Sequence, residues 1–477
     1  MISLLPARRR RAALPPGPST PALLQTYQWL TRPSFMDRCA RRFGDLFTVR
    51  LVQLGPHVYV ADPELVRQVF TGDPHVYHAG EAYRTLMEPV GGPRSLFVLD
   101  EDEHLRMRRW LLPPFHGERM KRWGPVIEEI TEREMATWPV GIPFALRPSA
   151  EAITLEVIMR IVFGIREPGR AAELRQLLPR LFHVSLSQAP SFVVPALRLD
   201  LGPRSPWGRF LRLRGRIDEL LLDEIRRRRA ELGEAGPDEL GDRDDMLSML
   251  IAARDEEGAR LSDADLRDVL VTMLLAGHET TASSLSWVFE RVLRHPAALA
   301  RLLDDLGQNG GDYLDAVIKE TLRVRPVGAH VARRLAEEVQ LRGYRLPAGS
   351  TVAVSIYLMH RSPALFPEPL EFRPERFLGE GSGSYSWVPF GGGVRRCLGA
   401  GLATLEMEVV LRTVLGSVRL RPARPAPERI DVLGVTLVPA RGTEVVMEGP
   451  ADGAPVRSAG HAGMAGPPGT RAGARTL

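Results

Sequence analysis

The sequence lacks the features that mark secreted, membrane-spanning or nucleic-acid-binding proteins. Only two of its 477 residues are cysteines, Cys39 and Cys397, which excludes a disulfide framework and indicates a reducing compartment. No apolar run approaches the ~20 residues that a transmembrane helix needs. The net charge of +5 is too small and too dispersed to indicate nucleic-acid binding. We therefore expect a cytoplasmic protein without a transmembrane anchor and without a nucleic-acid partner.

The apolar pattern along the chain predicts a mainly α fold with minor β sheets. Helical periodicity dominates residues 126–309. Short strand patterns occupy 46–60, where we expect a hairpin that turns at Gly55-Pro56, and also 339–354 and 430–446. We divide the chain into a flexible Arg-rich segment at 1–13, a single catalytic domain at 14–447 and a tail at 448–477. The tail is rich in Gly, Ala and Pro and has no aromatic residue, so we expect it to be disordered.

The segment from Phe390 to Gly399 is the most informative part of the sequence. It combines three glycines at 391–393, Arg395 and Cys397, and the small Gly399 allows a helix to begin close to the cysteine. A helix N-terminus favours an anionic sulfur, and an arginine can pair with a ligand carboxylate. The pattern predicts a thiolate held beneath a planar anionic ligand. The plainer interpretation is a structural thiol in a Gly-rich turn.

This segment resembles the haem-binding loop of the cytochrome P450 family, Phe-x-x-Gly-x-Arg-x-Cys-x-Gly. Every fixed position matches, and Gly393 supplies the central glycine. The resemblance implies a b-type haem with Cys397 as the axial thiolate ligand of iron. It also implies the family's triangular helical prism, with haem between a long central helix and the cysteine-bearing helix.

A second motif lies in the longest helical pattern, Asp263–Leu293. Ala276 and Gly277 leave room for a flat cofactor, and the Thr280 hydroxyl can reach the carbonyl of Ala276 one turn earlier. The motif resembles the family's Ala-Gly-x-(Asp/Glu)-Thr oxygen-activation sequence. The resemblance implies that Thr280 hydrogen-bonds the oxygen being activated and that Glu279 relays protons. We interpret His278 as a hydrogen-bonded side chain rather than an iron ligand.

The remaining motifs concern scaffold and cofactor binding. Glu320 and Arg323 resemble the family's buried Glu-x-x-Arg pair, and Arg376 resembles its third member. The resemblance implies a structural role, with loss of haem when one partner is removed. The resemblance implies that the haem carboxylates are bound by Arg395, His104, Arg108, and either Arg333 or Arg334.

The expected activity is insertion of one oxygen atom from O2 into a hydrophobic small molecule such as a terpenoid, fatty acid, steroid or polyketide. The resemblance places the substrate pocket among a loop at 79–99, residues 182–199, Met273, Ala276, the turn 327–331 and residues 432–435. No flavin or iron–sulfur module is visible, so we expect electrons from a separate ferredoxin and its reductase, with Arg106, Arg109 and Arg396 forming a basic docking surface. We expect a monomer.

Three alternatives remain open on the sequence. One is a haem-thiolate peroxygenase that uses hydrogen peroxide directly, although Glu279 and Thr280 argue against it. Another is a non-catalytic haem-thiolate sensor or carrier, which has less need of the acid–alcohol pair. The last is a helical protein whose Cys397 is only structural.

Overall fold

The computed structural model describes residues 14–451, with gaps at 33, 116–117, 166, 188–190, 193–194, 237–238, 241–242, 244, 309, 380–384 and 435. The predicted flexible segment 1–13 lies outside the described residues, as does most of the predicted tail. Within the described part, no helix is both long enough and apolar enough to cross a bilayer.

Helices form most of the described chain, as the periodicity predicts. The α-helices are α1 Ala22–Thr31, α2 Ser34–Phe43, α3 Pro63–Thr71, α4 Ala79–Gly91, α5 Glu101–Leu111, α6 Glu118–Arg122, α7 Gly124–Met135, α8 Arg147–Val157, α9 Pro168–Ser187, α10 Pro206–Leu232, α11 Met246–Ala252, α12 Asp263–Leu293, α13 Pro296–Gly307, α14 Asp312–Val324, α15 Ile356–Met359 and α16 Ala400–Ser417. A π-helical turn, Ile158–Val162, extends α8, and short 3-10 turns include Pro374–Phe377 and Gly393–Arg395.

The strands are short and lie at the margins of the helical body. They are β1 Leu46–Leu51, β2 Gly55–Val60, β3 Tyr77–His78, β4 Pro143–Ala145, β5 Val331–Leu335, β6 Val339–Leu341, β7 Tyr344–Leu346, β8 Thr351–Val354, β9 Val418–Pro422, β10 Ile430–Leu433, β11 Thr436–Pro439 and β12 Glu444–Pro450. Five strands form one sheet in the order β1-β2-β8-β5-β3, and three form another in the order β4-β12-β9. Two hairpins, β6–β7 and β10–β11, complete the β structure of the described residues.

The long helix α12 runs through the middle of the main hydrophobic core. It begins at the predicted residue because Ser262 and Asp265 form a capping box, in which each side chain accepts a hydrogen bond from the other residue's backbone. Almost every residue from Leu266 to Leu274 and from Thr281 to Leu293 is buried. A helix buried on all sides needs apolar residues around its whole circumference, which explains why its apolar pattern is not confined to one face.

The structure differs from the sequence-based predictions of secondary structure in four places. The predicted loop at 79–99 contains the helix α4, and the short strand β4 interrupts the helical region. The turn of the first hairpin lies at residues 52–54, so Gly55 and Pro56 begin β2 instead of forming the turn. The strand β12 continues to Pro450, three residues beyond the predicted domain end at 447, because Gly449 and Pro450 pair with β9.

Candidate haem-thiolate site

The Cys397 loop is closed by its own backbone. The amide of Cys397 donates to the carbonyl of Phe390 (2.9 Å), and the amide of Arg396 donates to the carbonyl of Gly393 (3.0 Å). Gly399 then occupies the N-cap position of α16. These bonds hold the cysteine immediately before the first turn of a helix, where backbone amides favour a negative charge.

The glycines of this loop have a packing role that the sequence did not reveal. A Cβ atom on Gly393, whose φ is +64°, would lie 1.8 Å from the backbone oxygen of Phe70 in α3. A Cβ on Gly392 would lie 2.5 Å from the Phe70 ring. Two of these glycines therefore allow the close approach of α3.

The sulfur of Cys397 lies in a recess. The residue is solvent-accessible, yet burial among protein atoms raises the pKa of its thiol. Both observations hold for a side chain that faces a concavity within the protein. A hydrogen bond from the Gly399 amide and the charges of Arg108 and Arg396 offset part of the rise in pKa. The other cysteine, Cys39, is buried, and burial raises the pKa of its thiol to about 11, as expected for a packing residue.

Four cationic or titratable side chains converge on one side of this recess: His104, Arg108, Arg333 and Arg395. Burial, followed by the charges of Arg395, Arg108 and Arg333, lowers the pKa of His104 to about 3. Arg333 is 6% exposed, and its hydrogen bond within the described residues goes to the carbonyl of Ala332 (2.9 Å). Buried guanidinium groups without a carboxylate are costly, so this cluster fits a ligand that brings negative charges of its own.

The structure distinguishes between the two arginines of β5. Arg333 points into the protein, and burial lowers its pKa. The side chain of Arg334 lies on the opposite face of β5, where it is 36% exposed and pairs with Glu81 (2.8 Å). Successive residues of a strand face opposite sides, so only Arg333 can reach the cluster.

Arg395 has a protein partner that the sequence did not indicate. Its guanidinium donates to Asp100 (2.7 Å) and to the carbonyls of Leu96 and Leu99. Asp100 also accepts hydrogen bonds from the amides of Gly80 and Glu81 at the start of α4 (2.7 Å each). Burial lowers the pKa of Arg395 to about 10 despite this carboxylate. Asp100 therefore links the cysteine loop to α4 and α5, across 295 residues of sequence.

The middle of α12 has the features predicted for an oxygen-side helix. Ala276 is exposed although the helix is buried on both sides of it, and the nearest atom to a Cβ on Gly277 would be the Ile158 side chain at 3.3 Å. The Thr280 hydroxyl donates to the Ala276 carbonyl (2.5 Å), as the four-residue spacing predicts. This side-chain bond competes with the helical ladder and leaves a polar hydroxyl at the exposed part of the helix.

Glu279 is part of a charged network that the sequence did not reveal. Arg147, at the start of α8, donates to Glu279 (2.5 Å) and also pairs with Glu151 (2.9 Å). Ser283 donates to the same Glu279 oxygen at 3.4 Å. Burial raises the pKa of Glu151, with a further contribution from the charge of Glu279. Two carboxylates thus share one guanidinium on the flank of α12. The neighbouring His278 is hydrogen-bonded to Thr154 (2.9 Å), and burial lowers its pKa to about 4.

The Glu320–Arg323 pair is buried and connected to the cysteine loop. Both side chains are 0% exposed and form two hydrogen bonds of 2.7 and 2.8 Å, and Arg376 lies 3.4 Å from the same carboxylate. Arg323 also donates to the carbonyl of His360 (2.8 Å), whose ring nitrogen accepts from the amide of Val388 (3.0 Å). The chain reaches Phe390 two residues later. His360, which the sequence reading missed, thus connects the pair to the loop.

The segments predicted to form the substrate pocket are partly brought together. The Tyr83 hydroxyl of α4 accepts from the amide of Ala332 (2.9 Å). The turn 327–331 contacts β11, since Leu437 donates to the carbonyl of Val327 (2.8 Å) and Gly328 bridges Thr436. The side chains of residues 182–190, including Phe182 and Val184, and residues 193–194 and 435 lie outside the described residues.

The donor set fits a haem-thiolate centre. It offers one soft sulfur ligand, a buried group of cations for two carboxylates and a long helix with the Thr280 hydroxyl at its exposed part. These features define the class of protein as a haem-thiolate protein.

Comparison with known proteins gives the family. The cytochrome P450 family model matches residues 14–446, and the chain belongs to this family. It is 42% identical over 439 residues to putative cytochrome P450 135B1 of Mycobacterium tuberculosis, covering 91% of each chain. It is 40% identical to putative cytochrome P450 138 of the same organism, covering 91% of this chain and 96% of the relative. As a member of the family the protein carries a b-type haem with Cys397 as its axial thiolate.

Solved structures show the same fold. A cyanobacterial CYP120A1 with bound retinoic acid superimposes with a TM-score of 0.79 at 25% identity, covering 92% of this chain and all of that chain. The haem domain of cytochrome P450DA superimposes with a TM-score of 0.77 at 23% identity, covering 91% and 97%. These matches confirm the predicted fold class.

Proposed function

We propose that this cytochrome P450 is a monooxygenase that inserts one atom of O2 into a hydrophobic small molecule, using electrons from a separate protein donor. The reaction consumes the substrate, O2, two electrons and two protons, and yields the oxygenated product and water. The observation that carries the proposal is the Thr280–Ala276 hydrogen bond at the exposed middle of α12, in a chain whose Cys397 loop provides the thiolate.

The residues of the recess hold the cofactor in the proposed arrangement. Cys397 ligates iron, Phe390 shields the sulfur, and Gly393 and Gly399 shape the loop around it. His104, Arg108, Arg333 and Arg395 bind the haem carboxylates. When bound, thiolate-ligated haem supplies O2 binding and O–O bond cleavage. Ala276 and Gly277 leave the oxygen side of the site open.

Proton delivery is the proposed role of Thr280 and Glu279. The Thr280 hydroxyl can release the Ala276 carbonyl and turn toward the oxygen side, where it donates a hydrogen bond. Glu279 can exchange protons with solvent because its side chain keeps 15% exposure on the flank of the buried helix. Arg147 acts as a positioning residue that orients the Glu279 side chain through their direct contact.

The substrate proposal rests on the apolar character of the segments near α12. Met273 is buried one turn before Ala276 in α12. The turn 327–331 contacts β11, and β11 lies against the same helix. Segments of this composition favour an apolar ligand. The retinoic acid bound to the cyanobacterial relative is an apolar isoprenoid acid, which supports the terpenoid class among those considered.

The electron donor in the proposal is a ferredoxin with its reductase. Arg106, Arg109 and Arg396 are exposed, and Arg396 adjoins the cysteine itself. Exposed basic groups near the sulfur would steer an acidic donor to the shortest electron path. Reduction by such a donor should slow as the salt concentration rises, and reduction kinetics that ignore salt would contradict this part of the proposal.

Isotope labelling tests the proposed reaction. A panel of hydrophobic compounds is first screened for a spin-state change in the haem spectrum, and the best ligand is then incubated with a ferredoxin, its reductase, NADPH and isotopically labelled O2. We expect one labelled oxygen atom in the product. Product formed with hydrogen peroxide but never with the donor system would indicate a peroxygenase. Ligand binding without product from either oxidant would indicate a sensor or carrier.

A further inference from the structure

An open cavity lies at the C-terminal end of α12, outside the haem-thiolate site. It has a volume of about 610 Å³ and lies between that helix end and residues 421–427, at and after the end of β9. Its charged and titratable lining residues are Arg291, Arg294, His295, Arg421 and Arg424. Among the described residues that line it, none is acidic. Arg291 lies eleven residues beyond Thr280, or about 16 Å along the helix, so the cavity is remote from the exposed middle of α12.

The inner pair of arginines, Arg291 and Arg294, carries more charge than its carboxylate partner neutralises. These side chains are 9% and 14% exposed, and both pair with the buried carboxylate of Glu290. Glu290 also accepts from the amide of Glu428 (3.1 Å), so both of its oxygens are engaged. Two guanidinium groups that share one carboxylate leave positive charge without compensation, which is costly where solvent access is limited.

Arg325 and Arg361 add to this excess of positive charge. Each guanidinium lies over an aromatic ring (5.2 and 4.1 Å), and the Nε atoms of both have no hydrogen-bond partner in the described structure. Burial, followed by the charges of Arg291 and Arg361, lowers the pKa of Arg325 to about 10. The charge of Glu290 acts in the opposite direction but does not cancel these effects. An anion that enters beside Arg291 would therefore be stabilised by several cations.

The outer pair of arginines, Arg421 and Arg424, comes from a different segment of the chain. These side chains are 53% and 60% exposed and contact Glu448 (2.9 Å) and Glu444 of β12 through Nε. Exposed pairs of this kind contribute little to stability. Because a guanidinium has five N–H donors, a contact through Nε leaves Nη amino groups that can donate to a second anion.

The two sides of the cavity are held at a fixed separation. The Nη1 atom of Arg294 donates to the carbonyl of Pro425 (2.8 Å), which joins the end of α12 to the segment that carries the outer pair. Pro422, Pro425 and Pro427 restrict the backbone of that segment. A cavity that is formed before binding lowers the entropic cost of holding a ligand.

We propose that this cavity binds a small molecule that carries at least two phosphate groups. The inner pair contacts one phosphate and the outer pair contacts the other, through the planar donor forks that match phosphate oxygens. A phosphate group carries about −1.5 to −2 charges and three acceptor oxygens, so it neutralises the excess better than a carboxylate does. The recessed position of Arg291 and Arg294 favours a small ligand over the surface of an acidic protein.

Isothermal titration calorimetry of pyrophosphate into the full-length, haem-loaded protein at constant ionic strength tests the proposal. We expect a single site that binds pyrophosphate at least about tenfold more tightly than inorganic phosphate. The variant Arg421→Gln/Arg424→Gln should bind pyrophosphate about tenfold more weakly. The rise in the thermal unfolding midpoint that pyrophosphate causes should shrink in parallel. Both substituted side chains are exposed, so the haem spectrum of the variant should be unchanged.

The matched control is Arg216→Gln/Arg345→Gln, because these arginines are 48% and 58% exposed and pair with glutamates (2.6 and 2.5 Å) on other parts of the surface. It removes the same net charge and should bind pyrophosphate as the wild type does. Equal weakening in the two double variants would overturn the proposal, because net charge alone would then explain the binding.

Three other results would also overturn the proposal. The first is absence of pyrophosphate binding by the wild type. The second is equal affinity for phosphate and pyrophosphate, since the inner and outer pairs would then not bind one ligand together. The third is slower reduction of Arg421→Gln/Arg424→Gln by an acidic ferredoxin without pyrophosphate binding by the wild type, which would assign this surface to a protein partner.

Discussion

Removal of the Glu320 carboxylate should destabilise the protein more than any comparable change at the surface. In the variant Glu320→Gln, Arg323 loses a carboxylate to which it donates two hydrogen bonds of 2.7 and 2.8 Å, with both side chains 0% exposed. The amide of Arg373 loses the charge on its acceptor (2.8 Å), and Arg376 loses its neighbouring anion. Glutamine also turns one acceptor into a donor that faces guanidinium donors.

The expected cost follows from burial. Breaking a buried ion pair by removing one partner costs about 3–5 kcal/mol, because a charge remains without compensation. Arg323 retains its bonds to the carbonyls of His360, Pro369 and Glu371, so its guanidinium stays buried in the variant. We expect a loss of about 3–5 kcal/mol in the free energy of unfolding and reduced retention of haem, since His360 connects this pair to the Val388 amide before the cysteine loop.

The control is Glu338→Gln, because Glu338 pairs with Arg345 at the surface, where the side chains are 46% and 58% exposed. Its expected cost is at most about 1 kcal/mol. Urea unfolding followed by circular dichroism and by haem absorbance measures both variants. Similar midpoints for the two variants would refute the reasoning that burial makes the Glu320 pair a structural element.

Three further predictions concern the site and its surroundings. Thr280→Ala should retain haem but lower the product formed per O2 consumed by about tenfold, with hydrogen peroxide appearing instead; full coupling would remove Thr280 from proton delivery. Arg333→Gln should weaken haem binding by about ten- to a hundredfold in transfer to apomyoglobin, whereas Arg334→Gln should not; equal losses would contradict the assignment in β5. Burial raises the pKa of Glu406 to about 8, and one of its oxygens has no partner in the described structure. This raised pKa lowers stability as pH rises from 4.5 toward 8, so Glu406→Gln should stabilise the fold at pH 7 by about 3 kcal/mol and by almost nothing at pH 4, as measured by urea unfolding at both pH values.

Local signals in the sequence were sufficient to predict several contacts between residues that are close together in the chain. The capping residues Ser262 and Asp265 gave the start of α12, and the four-residue spacing gave the Thr280–Ala276 bond. The Cys397 loop was recognisable because its glycines, Arg395 and Cys397 lie close together in the chain. In each of these cases the interacting groups lie within one or two helical turns of each other in the chain.

Contacts between distant segments were not predictable from this sequence. Asp100 lies 295 residues from Arg395, and Arg147 lies 132 residues from Glu279. Asp100 is an acidic residue at a helix start, and Arg147 is an arginine four residues before a glutamate. Residues of these kinds have many possible partners, so composition and spacing do not indicate which partner each one contacts. The choice between Arg333 and Arg334 required the strand's orientation, which depends on which face of the sheet is buried. The loop expected at 79–99 followed from the family resemblance, whereas the structure forms helix α4 there with Pro89 inside it.

The most direct test of the account is the spectrum of the reduced, carbon-monoxide-bound haem in wild type and in Cys397→Ser. The account predicts the red-shifted Soret band of a thiolate-ligated haem in the wild type, and weak haem binding with loss of that band in the variant. The same red-shifted band in Cys397→Ser would contradict the account, because another residue would then have to ligate the iron.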